Sequence, residues 1–249
     1  MKETKTQFPA EEVTLPSQGL LYSKDSPLSK GIIEMKYMTA REEDILTNVN
    51  LIENGTVIDK LLESLIVSPI NYNDLLTGDK DAILIAARIL GYGADYIFTH
   101  MGEEINIDLT TIKDKQLDES LVIDGKNEFQ FTLPTSKKEV TFKFLTHGDE
   151  QKIEKELKGL KKINKNKSND LTTRMKYVIT SIEGDYERKT IREFVDNEFL
   201  ARDARELRNH ISKIQPSVDL SYDYEDQRGN VTTIDIPVGI QFFWPDASI

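Results

Sequence analysis

Apolar residues in the first hundred positions recur mostly at spacings of three and four. Ile45, Leu46, Val49 and Ile52 share one helical face, and Thr39 followed by Glu42 has the pattern of a capping box. This predicts a helix over 40–54, stopped by Asn54-Gly55. Ile58, Leu61, Leu62, Leu65 and Ile66 predict a second over 57–67, which Pro69 prevents from continuing. Ile83 to Leu90 is apolar on most sides, so a third helix over 80–90, with Asp79 as its cap and Gly91-Tyr92-Gly93 at its end, should be the buried centre of this region. Ahead of these, Ile32–Met38 alternates loosely enough for a short strand after Gly31.

The period then changes to two. Ile105, Ile107 and Leu109 alternate, as do Phe129, Phe131 and Leu133, and Val140, Phe142 and Phe144. These predict strands, the last two joined by a hairpin through 134–138. A helical register opening at His147 or Asp149 runs through Ile153, Leu157 and Leu160 to 163. It dissolves into the linker-like Lys/Asn stretch 161–169. Further helices are expected over 170–183 and 190–214, the latter with Leu200, Ala204, Leu207, Ile211 and Ile214 on one seam. After Pro216, a hairpin pairs 218–224 with 231–236, turned through Asp226–Asn230.

The expected fold class is α+β. A flexible arm (1–12) precedes an N-terminal three-helix module with short strands (13–100). A β-rich, hairpin-containing segment (101–146), a helical segment (147–215) and a β-hairpin tail (216–249) follow. The aromatic end of the tail is expected to pack on the N-terminal module.

Composition narrows the function classes. The 249 residues contain no Cys and three His, and the net charge is −11. Without thiols there is no disulfide scaffold, zinc ribbon or thiolate nucleophile. The longest apolar run, Ala82–Leu90, contains Arg88 and falls well short of the ~20 residues that span a bilayer; no membrane segment is expected. An acidic chain disfavours binding to nucleic acid, which rests on neutralising phosphates, and the Lys152–Lys167 cluster holds no aromatic residue for base stacking.

Reactive constellations are not evident. His100, His147 and His210 are far from metal-ligand spacing, and the pairs Glu42-Glu43, Glu103-Glu104, Asp118-Glu119 and Glu225-Asp226 read as solvated acidic surface. Gly91-x-Gly93 follows a helix where a dinucleotide fingerprint would precede one. No catalytic, cofactor-binding or metal-ligating residue is assigned, and no cofactor is expected.

Two apolar segments stand out. Leu15-Pro16-Ser17-x-Gly19-Leu20-Leu21-Tyr22 is short, bent and extended. Phe242-Phe243-Trp244-Pro245 holds the only Trp, close to the end of the sequence. Either both pin the ends of the chain to the core, or Leu15, Pro16, Gly19, Leu21, Tyr22, Phe242, Phe243, Trp244 and Pro245 form a docking surface, since aromatic residues dominate protein interfaces.

Taken in order, these segments resemble the baseplate hub assembly family of T4-like bacteriophages. The resemblance rests on Leu15-Pro16-Ser17-x-Gly19-x-x-Tyr22, Met38-Thr39-Ala40-x-Glu42-Glu43-Asp44-Ile45-Leu46 and Ile58-Asp59-x-Leu61-Leu62. It continues through Leu75-Leu76-x-Gly78-Asp79, Ile85-Ala86-x-Arg88-Ile89-x-Gly91-Tyr92-Gly93 and Ile236-Pro237-x-x-Ile240-x-Phe242-Phe243-Trp244-Pro245. It covers about 13–97 and 236–246, and length and content are most similar to the larger, assembly-catalyst members. It implies a non-enzymatic, chaperone-like late protein of viral tail assembly. Such a protein acts in the host cytoplasm, contacts phage hub or tail proteins transiently and is absent from the finished virion; the alternative is a structural hub component that stays. Cysteine pairs that would form a zinc knuckle near the C-terminal hairpin are replaced here by Ser221, Tyr222, Asp223 and Tyr224, so the resemblance carries no metal role over.

Overall fold

The computed structural model describes residues 9–123, 125–163, 169–225 and 229–243. The fold is mixed α+β, with helices laid among small antiparallel sheets. Strand β1 (Ala10–Thr14) pairs with β2 (Ile32–Lys36) in a register that sets Val13 opposite Ile33. Ala10, Glu11 and Glu12, expected in a flexible arm, are thus hydrogen-bonded strand; the arm's first eight residues lie outside the described residues. The connection turns tightly at Gly19, whose φ is +78° and where a Cβ would lie 2.4 Å from the Ser29 carbonyl oxygen. Only glycine fits there. Ile33 and Met35 of β2 point into the core, and Ile32 and Glu34 point out.

The next helices are α1 (Ala40–Leu46), α2 (Val49–Glu53), α3 (Val57–Leu65) and α4 (Thr77–Tyr92). The single helix expected over 40–54 is broken at Thr47-Asn48. The Asn48 side chain accepts from the Leu51 N–H at 3.2 Å and starts a new helix, which leaves Val49 exposed. Helix α3 stops at Leu65, because Ile66 is extended and bridges to Met35. Helix α4 starts three residues before the expected range, so Asp79 lies inside its first turn and is not its cap.

Strands β3 (Asp95–His100) and β4 (Glu103–Asp108) form a hairpin. Only β4 was expected, and an interface drawn between 100 and 101 would cut the pair. After β5 (Asp114–Lys115), β6 (Phe129–Thr132) and β7 (Glu139–Phe142) make the expected hairpin. Helix α5 (His147–Ile163) is capped by Thr146. Its Oγ1 accepts from the Asp149 N–H at 3.2 Å, and Asp149 Oδ2 accepts from the Thr146 N–H at 3.3 Å.

Helix α6 (Asp170–Val178) ends five residues before the expected helix. Ile179–Ile182 becomes β8, the third strand beside β7. The β-branched Ile179, Thr180 and Ile182 suit a sheet better than a helix end. The helix expected over 190–214 is likewise two, α7 (Arg188–Asn197) and α8 (Ala201–Ile214). Leu200, expected at the head of the seam, sits in the break and is exposed. Finally β9 (Ser217–Val218) pairs with β5, and β10 (Ser221–Glu225) pairs with β11 (Val231–Asp235). Asp226, Gln227 and Arg228 of the expected turn, and residues 164–168 of the Lys/Asn stretch, lie outside the described residues.

One buried cluster runs from Leu15 to Phe243 and includes apolar side chains of the β3–β4 and β6–β7 sheets and of most helices. The segments divided by sequence at 146/147 therefore share a core, joined most directly by β8 on the β6–β7 sheet.

Candidate functional site

Helix α4 holds two buried charges, and each fastens a distant part of the chain. Asp79, in the first turn, is fully buried. Its Oδ1 accepts from the Ser17 N–H at 2.8 Å, and its Oδ2 accepts from the Ser17 hydroxyl and the Tyr22 hydroxyl, both at 2.6 Å. The Tyr22 oxygen in turn accepts from the Leu76 N–H at 2.9 Å, so the phenol closes the helix start and the N-terminal loop together. Burial pushes the Asp79 carboxyl upward against the opposing pull of the Ser17 and Tyr22 hydrogen bonds. Burial and the neighbouring carboxylate push the Tyr22 phenol up as well.

Arg88, nine residues on, is also buried. Its guanidinium donates to three carbonyl oxygens: Phe242 at 2.8 Å, Gly93 at 2.7 Å and Asp95 at 2.9 Å. Tyr92, Tyr96 and Phe242 offer ring faces within 6.0 Å. The charge is thus balanced by dipoles and π faces. Phe242 packs edge-on against Tyr96 at 4.7 Å, and the Tyr96 hydroxyl donates to the Pro237 carbonyl at 2.9 Å.

Of the two readings of the end segments, this geometry favours the pinning one for the described residues. Leu15, Pro16, Gly19, Leu21, Tyr22, Phe242 and Phe243 are all buried and fasten the two end segments to the core, while Gly19, Leu21 and Tyr22 also line an open pocket at the surface. Trp244 and Pro245 lie outside the described residues. Phe242 of the tail is held to α4 by Arg88. The two motifs, however, meet α4 at positions nine residues apart, about 14 Å along the axis, and do not merge into one surface.

Two further polar clusters are structural in character. Glu42 is fully buried and accepts from Lys36 at 2.8 Å, the Thr39 N–H at 3.0 Å, the Thr39 hydroxyl at 2.6 Å and Ser64 at 2.9 Å. Burial acts to raise its pKa, but these donors outweigh it and hold the carboxyl at about 2. Asp59 accepts from Tyr72 and Lys80 and lies 3.8 Å from Nδ1 of His147. The His147 ring meets Tyr72 edge-on at 4.6 Å and contacts Gln151 at 2.9 Å through Nε2; burial lowers its pKa. Each imidazole has its own aromatic neighbour, with His100 against Tyr224 and His210 against Phe131. Among the described residues no group of three His, Asp or Glu is arranged to hold a metal ion, and no helix is long and apolar enough to cross a membrane.

Sequence reasoning passed over Arg88, although a lone charge in an apolar run was its signal. It also passed over Asp203, a buried residue of α8 that accepts from the Thr135 and Ser136 N–H groups at 2.7 and 3.0 Å and fixes the tip of the β6–β7 hairpin. No local pattern marks that residue.

The open feature of most defined chemistry is a groove of about 420 Å³ between α5, α6, α8 and β9. Phe144, Leu145, Met175, Val178 and Ile211 give it an apolar lining, and Lys143, Arg174 and Arg208 bring positive charge to it. Lys143 is paired to Asp149 at 2.6 Å and Arg174 to Glu150. Such a groove holds an apolar group by burial, and of its three cations Arg208 alone is left by these pairs to meet an anion. No protein-family model, curated protein or solved structure matches this chain.

Proposed function

We propose that this protein is a non-enzymatic assembly factor for the central hub of a contractile-tailed phage baseplate, acting through transient protein–protein contacts. The observation that supports this reading is how the resembling segments meet. Leu15–Tyr22 is hydrogen-bonded to Leu76 and Asp79, and the Arg88–Gly93 segment is hydrogen-bonded to the tail at Phe242. Segments that are dispersed in sequence but joined directly in space behave as a signature of one fold, which is what a family resemblance requires. The function attached to it comes from the resemblance.

On this reading the factor binds the assembling hub more tightly than the finished one, because a binder with equal affinity for both would shift nothing. The −11 charge keeps it soluble and steers it toward basic surfaces of hub or tail proteins. Hub components of a contractile-tailed phage, co-expressed with and without the chain, test the reading. Soluble, assembly-competent hub should increase severalfold with it, and mass spectrometry of purified particles should find none of it. An unchanged hub together with stoichiometric presence in particles would instead support a structural component retained in the virion.

A further inference from the structure

Helix α8 carries four basic side chains, Arg202, Arg205, Arg208 and Lys213, and all four are exposed. Among the described residues none of them makes an ion pair, although ion pairs are plentiful elsewhere in the fold. Arg208 donates only through Nε, to the Ala204 carbonyl at 3.2 Å. The two acids of the helix leave this charge uncompensated. Asp203 is turned inward onto the hairpin tip, and Glu206 pairs with none of the four. Lys115 adds a fifth cation at the end of the helix, donating to the Ser212 carbonyl.

Arg202, Arg205 and Arg208 are spaced by three, which places them along one ridge of the helix. The last of them stands on the wall of the apolar groove, beside Ile211. A chain with 43 acidic and 32 basic side chains therefore presents on α8 four exposed cations without an ion pair among the described residues, set against apolar surface.

We infer that α8 and the adjoining groove bind an acidic segment of a partner protein, one that seats large apolar side chains in the groove and aligns carboxylates with Arg202, Arg205 and Arg208. Charge complementarity names the occupant. The ridge attracts carboxylates although the chain as a whole carries a net charge of −11, so an acidic segment is drawn to this face. The groove adds burial of apolar surface, which a phosphate backbone cannot use. The ridge also lacks the exposed aromatic residues on which unpaired bases stack. The inference goes beyond the hub reading and stands without it.

The test is a selection of random 16-residue peptides displayed on phage against the full-length protein, followed by anisotropy titrations with the recovered peptides. Recovered sequences should combine Asp or Glu with Leu, Phe or Trp. Their affinity should fall at least tenfold in the triple variant Arg202→Glu, Arg205→Glu, Arg208→Glu, and again when peptide apolar residues become Ser. All three sites are exposed, so the variant should fold; an unchanged thermal melt verifies it, and the single variant Arg205→Glu with a severalfold loss provides the same test if the triple does not. Tenfold weakening is also expected between 50 and 300 mM salt. Failure to recover any binder, recovery of peptides without acids, or affinity indifferent to charge reversal overturns the inference. So does a 20-nucleotide single strand that displaces the peptides and binds more tightly.

Discussion

The Tyr22 hydroxyl donates to the Asp79 carboxylate at 2.6 Å, 57 residues apart in sequence and shielded from water. Because the same oxygen accepts from the Leu76 N–H, one phenol satisfies the helix start and the buried acid at once. Tyr22→Phe leaves the ring in place and removes only the oxygen. A backbone N–H and a buried carboxylate then each lose a partner, so stability should fall by roughly 2–3 kcal/mol. Urea unfolding measures it. Tyr37→Phe removes a hydroxyl bonded to Glu11 at an exposed site and should change stability by less than about 0.5 kcal/mol.

Arg88→Lys keeps the charge but has no planar fork to reach three carbonyls. The Gly93, Asp95 and Phe242 carbonyls cannot all be served by one ammonium, so a loss of roughly 3 kcal/mol is expected. A second readout separates local from global effects. Amide exchange at Phe242 and Phe243 should rise further in this variant than exchange in β6–β8, because Arg88 is the polar tie between the tail and α4.

Glu42 gives the acid limb of stability a defined origin. Its carboxyl is held at about 2 in the fold against about 4.3 in an unfolded chain, so the folded state binds fewer protons in that interval. The contribution is fully present above about pH 4.5 and is lost as pH falls toward 2. It is worth roughly 2 kcal/mol after allowance for the partly exposed Lys36 end. Glu42→Gln should be less stable at pH 7 and should flatten the unfolding curve between pH 5 and 2. An unaltered acid limb in the variant would assign it to other carboxylates.

His147 acts in a higher window. Burial lowers its pKa, with Asp59, Glu63 and Glu154 pulling the other way and Lys80 adding to the lowering. The folded state therefore disfavours the imidazolium, and stability falls as pH drops below the ordinary histidine value near 6.5. His147→Asn removes the titrating group. Its urea midpoint should be lower than the parent's at pH 7.5, with a smaller further drop between pH 7 and pH 5.

The elements that sequence described best are those whose pattern is complete in a single local stretch, such as the alternation in Phe129–Leu133 and Val140–Phe144, or the Thr39/Glu42 pair. What escaped it depended on partners far along the chain. Ile179–Ile182 continues a helical register and becomes strand because β7 offers an open edge. Asp79 has the composition of a helix cap, yet its direction is set by Ser17 and Tyr22. The end motifs stand out in sequence, but an apolar, aromatic segment looks the same there whether it faces a partner or its own core. In sequence Arg202, Arg205 and Arg208 are simply residues between the seam positions of α8; only the inward turn of Asp203 reveals that they are left without an ion pair among the described residues.

The crossing of α4 and β9 provides a case where local propensity and tertiary packing predict opposite signs. In a helix, Gly→Ala ordinarily stabilises by up to about 1 kcal/mol, because alanine loses less backbone entropy. At Gly159, on the exposed side of α5, a Cβ meets nothing within 4 Å, and Gly159→Ala should raise stability by roughly 0.5–1 kcal/mol. At Gly78 a Cβ would lie 1.9 Å from the Pro216 carbonyl oxygen and 3.2 Å from Ser217 Cα. Those are backbone atoms, which cannot rotate aside, so α4 and the strand must separate. Gly78→Ala should therefore lower stability by roughly 2–4 kcal/mol despite its better propensity, and should weaken amide protection at Val218. Measured side by side by urea unfolding, the two alanines should move the midpoint in opposite directions; a stabilised Gly78→Ala would mean that α4 and β9 are not in contact.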